Sequence, residues 1–370
     1  MLEVQKYLQS GKSLQLLQTE YGIDYSIDNG VVSLNYNMIN SPMGQEISKE
    51  CRGLILRLNT WEVLAYPFYK FFNIGEGFQA SIDWKSAKYL EKIDGTLIIA
   101  WYDEDQSKWQ FATRSVPYGN KSVNGIKETF SQLTIQAIER YFNDDEKCLA
   151  FYDNLNKRYT YMFELTSPFN QIVVQHADLK FTLIGVRDLD TLLELDIAPI
   201  GKQLNIPIPT MFSFDSIDEA IILINKWAPI EHEGMVVVDK YFNRVKVKSA
   251  AYCFAHTTVS NLLSSNRNVM RIIMLNKDDD VLPLLTGLMR ERFLEIKDKY
   301  INLCKIIMKE YNEIKDIKSD KEFALLATKT TWCTPLFSFR RKNHDTLVDF
   351  MIKMAEKQTS VDKVLQLIGM

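Results

Sequence analysis

Cysteine and histidine are scarce in this 370-residue chain, and neither clusters. The five cysteines, Cys51, Cys148, Cys253, Cys304 and Cys333, are odd in number, far apart and form no CxxC pair. That argues against a disulfide framework and for a reducing, cytoplasmic setting. Cys253 and His256 make one lone CxxH. No second close pair completes a zinc site, and His176, His232 and His344 are scattered. The apolar runs, such as Leu97–Tyr102, are strand-length and far below the roughly 20 residues of a membrane span. The start carries no basic segment followed by an apolar one, so no secretory signal is expected. A coat of one charge is absent too: 44 Lys+Arg against 47 Asp+Glu give −3. A generally basic, histone-like surface is excluded, whereas a local basic groove is not.

With 46% hydrophobic residues the chain can build a real core. Segments 53–58, 96–102, 159–165, 181–186 and 235–239 are short and rich in β-branched or aromatic residues, which predicts strands. They do not alternate regularly with helices of ten to fifteen residues. An α+β core with an antiparallel or mixed sheet is therefore expected over a doubly wound parallel one. After about residue 255 the texture changes. Phe293, Ile296, Tyr300, Leu303, Ile307, Tyr311 and Ile314 step by three and four, as one helix stripe does. Val348, Met351, Ile352, Val361, Val364, Leu365 and Ile368 suggest further helices. The expected boundaries are 1–254 for the α+β domain and 255–370 for an all-α C-terminal domain. The second carries 19 Lys+Arg against 15 Asp+Glu, a mild excess that makes it the better accessory surface for a polyanion.

Five short segments could carry chemistry. Lys92-Ile-Asp94-Gly95 precedes an apolar strand, and a lysine beside a tight turn can project into a cleft; alone, it reads as a solvated turn. In Arg244-Val-Lys246-Val-Lys248, alternation puts three cations on one strand face, either exposed or facing an anion. Glu233-Gly234 opens a strand, where a carboxylate can hold a hard cation. Glu164 stands inside an apolar strand, a costly place for a carboxylate unless it is paired or on an open face. Glu50-Cys51-Arg52-Gly53 and Lys70-Phe71-Phe72-Asn73 offer two cations for phosphate and an aromatic, Phe72, for a base. The wider run Tyr66–Phe72 reads as core, Arg340-Arg341-Lys342 as a solvated basic loop, and Gly75-Glu-Gly77 lacks the third glycine of a dinucleotide fingerprint.

Order and spacing join these pieces. Glu164, Glu233, Lys246 and Lys248 follow Lys92 by 72, 141, 154 and 156 residues. This set resembles the motifs of the covalent nucleotidyltransferase superfamily of ligases and RNA capping enzymes. Within it, Glu50–Gly53, Lys70–Asn73, Phe163-Glu164 followed by Pro168 and Asn170–Val173, Glu233-Gly234 and Lys246–Ser249 resemble the first RNA ligase family of the T-even phages. The resemblance implies an adenylation domain followed by a helical domain that recognises RNA. It also implies an ATP-dependent enzyme using Mg2+ or Mn2+. Lys92 would attack the α-phosphorus of ATP, and the AMP would pass to an RNA 5′-phosphate. A 3′-hydroxyl would then seal the strand, as in repair of cleaved tRNA. Lys246 and Lys248 would assist the chemistry and hold phosphate. Arg52, Lys70, Phe72, Asp94, Gly95 and Arg114 would bind the nucleotide, and Glu164 and Glu233 the nucleotide and metal. Asp278–Asp280 would be a helix cap or a second metal site, with the cap favoured. A free lysine, with a pKa of about 10.4, needs cationic neighbours or desolvation to become a nucleophile, which the basic strand face could provide. Two alternatives remain. One is a capping guanylyltransferase or DNA ligase, disfavoured by helices where those enzymes carry a barrel. The other is a silent RNA-binding protein that keeps the fold.

Overall fold

Strand periodicity sets the first two thirds of the molecule. The computed structural model describes all residues except 124–125, 171–173, 175, 229–230, 258–264 and 283–286. It gives backbone but not side chains for 254–257, 280 and 287–290. The chain divides into two units, Met1–Tyr252 and Cys253–Met370.

The first unit holds three sheets. One is the antiparallel meander β1 (Ile23–Asp28), β2 (Val31–Tyr36), β3 (Arg52–Arg57) and β4 (Val63–Ala65). A second sheet takes β5 (Phe72–Asn73), β6 (Lys88–Lys92), β12 (Met211–Phe212), β13 (Gly234–Val238) and β14 (Arg244–Lys248), in the order β12-β6-β13-β14-β5. A third takes β7 (Thr96–Asp103), β8 (Lys108–Ala112), β9 (Tyr159–Thr166), β10 (Lys180–Asp188) and β11 (Glu194–Leu195), in the order β11-β10-β9-β7-β8. Among the described residues every strand pairing is antiparallel except β14 with β5. The α+β expectation with mixed, mainly antiparallel sheets is borne out.

Alternation explains the layers. Ile98, Ala100, Tyr161, Phe163 and Leu165 face helices Phe130–Phe142, Asp145–Asn154 and Ile197–Leu204. On the other face Leu97, Ile99, Trp101 and Met162 pack on Ile55, Leu64 and Phe68. Covered on both sides, β9 is buried at six of eight positions, so its sequence reads as a continuous apolar run. In the β5–β14 sheet, Tyr89, Met235, Val237, Val245 and Val247 face helix Ile217–Ile224. That leaves Leu90, Lys92, Val236, Lys246 and Lys248 on the opposite face.

The second unit is helical throughout its described residues. Helix Gly287–Ile314 buries Phe293, Ile296, Tyr300, Leu303, Ile307 and Ile314, the stripe that the three-and-four spacing predicts. Tyr311 is half-buried and packs on Phe339, ring centroids 5.1 Å apart. Near the end, Leu347 and Phe350 are buried while Val348 and Ile352 are half-buried, so the apolar face is rotated from the expected one. Asp278 does not cap. It is the first residue inside helix Asp278–Val281, after Lys277, and it is buried in an ion pair with Lys297 Nζ at 2.5 Å. Burial raises its carboxyl above the ordinary range, Lys297 opposing and Asp279 adding. The side chain of Asp280 and that of His256 lie outside the described residues. Arg340 of the basic loop is engaged by Asp320 and by the carbonyls of Ile317 and Lys318. Among the described residues no helix is long and apolar enough to cross a membrane.

Candidate active site

The register of β6, β13 and β14 places Lys92, Gly234 and Lys248 in one row across three strands. Gly234 has no room for a side chain there, because a Cβ would collide with the carbonyl of Val247. Its neighbour Glu233 turns inward, 3% exposed, and binds both lysines. Lys92 Nζ lies 2.5 Å from Oε2 and Lys248 Nζ 3.3 Å from Oε1. One buried carboxylate thus clamps two amines that are 156 residues apart in sequence.

These lysines open onto a cavity of about 790 Å³. Among its described lining residues are seven cationic side chains, Arg52, Lys92, Arg114, Lys121, Arg244, Lys246 and Lys248, against two carboxylates, Glu91 and Glu164. Such an imbalance in a cleft favours a polyanion. Arg52 Nη1 is buried with no hydrogen-bond partner among the described residues, a donor waiting for an acceptor. Arg244 differs from the other two cations on its strand. It is buried, 2.5 Å from Glu194 Oε2, and stacks on Phe68 at 4.7 Å. The same Glu194 binds Arg187 at 2.8 Å. Lys246 stands 5.3 Å from the Phe71 ring centroid.

Glu164 lies on the face of β9 that carries Met162, the face open to the cavity. Its Oε1 accepts from the Gly95 N–H at 3.1 Å. Burial pushes its carboxyl up to about 7. Lys92 pulls it down, Glu233 pushes it further up, and Arg52 opposes. Gly95 is confined by β9, since a Cβ would stand 2.5 Å from Leu165 O and 2.9 Å from Thr166 Cγ2. The motif turn therefore lies directly on the strand that bears Glu164.

Of the residues singled out in the sequence, Lys92, Gly95, Arg52, Arg114, Glu164, Lys246 and Lys248 line the cavity, and Glu233 braces it. Three are placed otherwise. Asp94 is buried below the turn, its Oδ2 accepting from the Val174 N–H at 3.0 Å and its carbonyl 2.7 Å from His176 Nε2. It holds the turn and does not line the cavity. Lys70 is buried, donating to Tyr36 OH at 3.1 Å, and stays off the cavity. Phe72 is buried against Phe78, centroids 5.9 Å apart, whereas its neighbour Phe71 lines the cavity. Phe71, just before β5, and Phe72, its first residue, thus point to different surroundings, and the first of them reaches the cavity wall. Asn35, Phe71 and Lys121 were missed. Only Phe71 left a signal, its place beside Phe72. Asn170 also lines the cavity, bonding Thr96 Oγ1 at 3.0 Å and Leu165 O at 2.9 Å. The following residues 171–173 of that motif lie outside the described residues.

Comparison with known proteins settles the family. The RNA ligase family model matches residues 50–252, more than half of the chain. The chain belongs to the RNA ligase family. It is an RNA ligase by that membership, as its motifs predict. The chain is 26% identical over 312 residues to an RNA ligase of Rhodothermus phage RM378, covering 68% of this chain and 69% of the phage protein. It is also 28% identical over 306 residues to a protein of Autographa californica nuclear polyhedrosis virus, covering 78% of this chain and 42% of the viral one. Among solved structures, an archaeal ATP-dependent RNA ligase aligns with a TM-score of 0.47 at 15% identity, over 92% of this chain and 81% of that one.

Proposed function

We propose that this RNA ligase uses ATP, forms a lysyl-AMP intermediate on Lys92, and joins a 5′-phosphate to a 3′-hydroxyl of RNA, with cleaved tRNA as a natural substrate. The observation that carries this reading is the amine of Lys92 beside the cations of β14, in a cleft sized for a nucleotide. The amine must give up a proton to attack. Glu233 Oε2, 2.5 Å away, is the positioned acceptor. Nζ then bonds the α-phosphorus while the bond to the pyrophosphate oxygen breaks. Lys246, Lys248 and Arg52 bear on the charge that develops, and such transfer depends mainly on position and electrostatics. Next, an oxygen of the RNA 5′-phosphate displaces Lys92 from the AMP phosphorus. Finally a 3′-hydroxyl oxygen attacks the activated 5′-phosphorus, and AMP leaves. Phe71, flanked by Lys246 and Arg52, is the ring best placed to stack on a base.

Two adjacent carboxylates, one held up to about 7 by burial, suit an incoming hard cation. Among the described residues no cluster of three or more metal-ligating side chains occurs, and magnesium needs few, since it keeps several waters. Glu164 and Glu233 would hold Mg2+ or Mn2+, whose charge would neutralise the triphosphate. The helical unit, +4 over residues 255–370, is proposed to contact RNA. Cysteine usage, five residues far apart in sequence with no CxxC pair, suits work in the cytoplasm.

The test is incubation with ATP labelled on the α-phosphate and magnesium, then with a 5′-phosphorylated RNA. A covalent protein label that moves to the RNA is expected, and Lys92→Ala abolishes it. A label that persists in Lys92→Ala rejects that nucleophile. Labelling by GTP in place of ATP points to capping chemistry.

A further inference from the structure

In the helical unit, two helices begin at one small cavity, and neither carries the usual cap. The cavity, about 410 Å³, is walled by residues 330–334, Met354, Thr359, Ser360 and Lys363. Helix Cys333–Arg340 follows Trp332 and helix Gln358–Leu367 follows Lys357; neither flanking side chain accepts from its helix, and neither helix has an acidic residue in its first turn. The N–H groups of Cys333, Thr334, Gln358 and Thr359 donate to nothing among the described residues. Each helix start also carries about half a positive charge. Ser360 gives an independent sign. It is 7% exposed, lines the cavity, and its hydroxyl makes no hydrogen bond among the described residues, whereas a buried polar group ordinarily has a partner. Lys363 Nζ has only a 3.4 Å contact with Gln366 Oε1. Among the described lining residues there is no carboxylate. Asp362 is held by Arg267 at 2.5 and 3.0 Å, and Glu310 accepts from the N–H and Oγ1 of Thr331 at 2.9 and 2.7 Å. Trp332, the aromatic in the wall, is buried against Phe350, centroids 5.6 Å apart, so the wall offers donors rather than a free ring.

We propose that this cavity binds a backbone phosphate of the RNA substrate. The two helix starts and the Ser360 hydroxyl donate to its oxygens, and Lys363 supplies the charge. Such a contact fixes where the strand lies on the helical unit and carries no sequence information. The inference rests on the reading that the helical unit contacts RNA.

The test uses the full-length chain and an RNA hairpin with a 5′-hydroxyl, which cannot be joined. Amide hydrogen exchange is followed with and without the hairpin. Peptides covering 332–334 and 358–360 should exchange quickly in the free protein and several-fold more slowly with RNA. Protection elsewhere within 255–370 but not there rejects this site; no protection anywhere in 255–370 rejects RNA contact by the helical unit. Thr334→Glu and Thr359→Glu each place a carboxylate at one helix start. Neither should lower the melting temperature, because an acid suits that position. Adduct formation from ATP should be unchanged, while Kd for the hairpin should rise roughly tenfold in each. Asn312→Glu, the same charge change on an exposed position of helix Gly287–Ile314, should leave Kd within about twofold. Wild-type affinity in both helix-start variants, or an equal loss in Asn312→Glu, overturns the proposal. Should the helix-start variants not fold, Lys363→Gln, a surface change, should lower the slope of log Kd against log salt by about one; an unchanged slope overturns it. Inorganic phosphate tests the other source of this anion. Thermal stabilisation by phosphate that Thr359→Glu abolishes, with affinity for RNA unchanged in that variant, would make the cavity a free-anion site and reject the RNA assignment.

Discussion

At Glu164, burial and charge pull in opposite directions, and burial prevails. The carboxyl sits at about 7 in the folded chain against 4.5 in its ordinary setting. A raised carboxyl means that the folded state holds a proton the unfolded state has released. The stabilisation this gives is fully present below about 4.5 and is lost as pH rises through 7. Glu164→Gln removes that titration while keeping the volume and an acceptor for the Gly95 N–H. Thermal melts of the nucleotide-free protein between pH 4.5 and 8.5 should therefore show a steeper fall for the wild type than for Glu164→Gln. Parallel curves would mean that Glu164 is ionised throughout. The same variant should lose adduct formation, because a neutral amide cannot hold a divalent cation as a carboxylate does.

Among the elements, β5 is the most instructive. Phe71 precedes it and lines the cavity, whereas Phe72 within it is buried. Phe72→Ala should cost stability, roughly 3 kcal/mol as for other buried phenylalanines. Phe71→Ala should leave the melt nearly unchanged and raise KM for ATP. Melting curves and adduct kinetics on the pair check this, and the reverse pattern would restore Phe72 as the stacking ring. The β6–β7 turn yields a second test. Gly95→Ala drives a methyl into Leu165 O, which is backbone and cannot swing aside, so adduct formation should fall at least a hundredfold even where the protein folds. Legibility followed element length. In β14 the five residues alternate cleanly, and the cation face read from sequence is the face that lines the cavity. The 28-residue helix declared its stripe in the same way. A two-residue strand has no period to count, so nothing local in the sequence decides between Phe71 and Phe72. Asp94 misled for another reason: its partner, the Val174 N–H, lies 80 residues away, and no local pattern reveals such a contact. Nor does the sequence announce that β14 runs parallel to β5, although that single pairing carries Phe72 and Asn73 alongside Val245 and Lys246.

For the whole molecule, what matters is which parts the chemistry needs. Every described residue lining the cavity falls between Asn35 and Lys248. Among the described residues, the hydrophobic clusters of the first unit lie within residues 2–247, the same stretch that lines the cavity. A fragment of residues 1–257, which retains helix Ala250–Thr257, should therefore fold and form the adduct with ATP within about tenfold of the full chain. Joining of RNA ends should fall much further. The removed residues carry the +4 balance, while the remaining chain is acidic overall. Contacts with phosphate from such a unit release counterions, so in the full chain KM for RNA should climb with salt while KM for ATP changes less. The fragment should show a weaker salt response for RNA. Adduct labelling and end-joining, run side by side on both proteins at 50 and 200 mM salt, separate the two units' contributions. A fragment that is folded by circular dichroism but forms no adduct would show that nucleotide chemistry requires the helical unit, and equal end-joining by both proteins would remove that unit from RNA recognition.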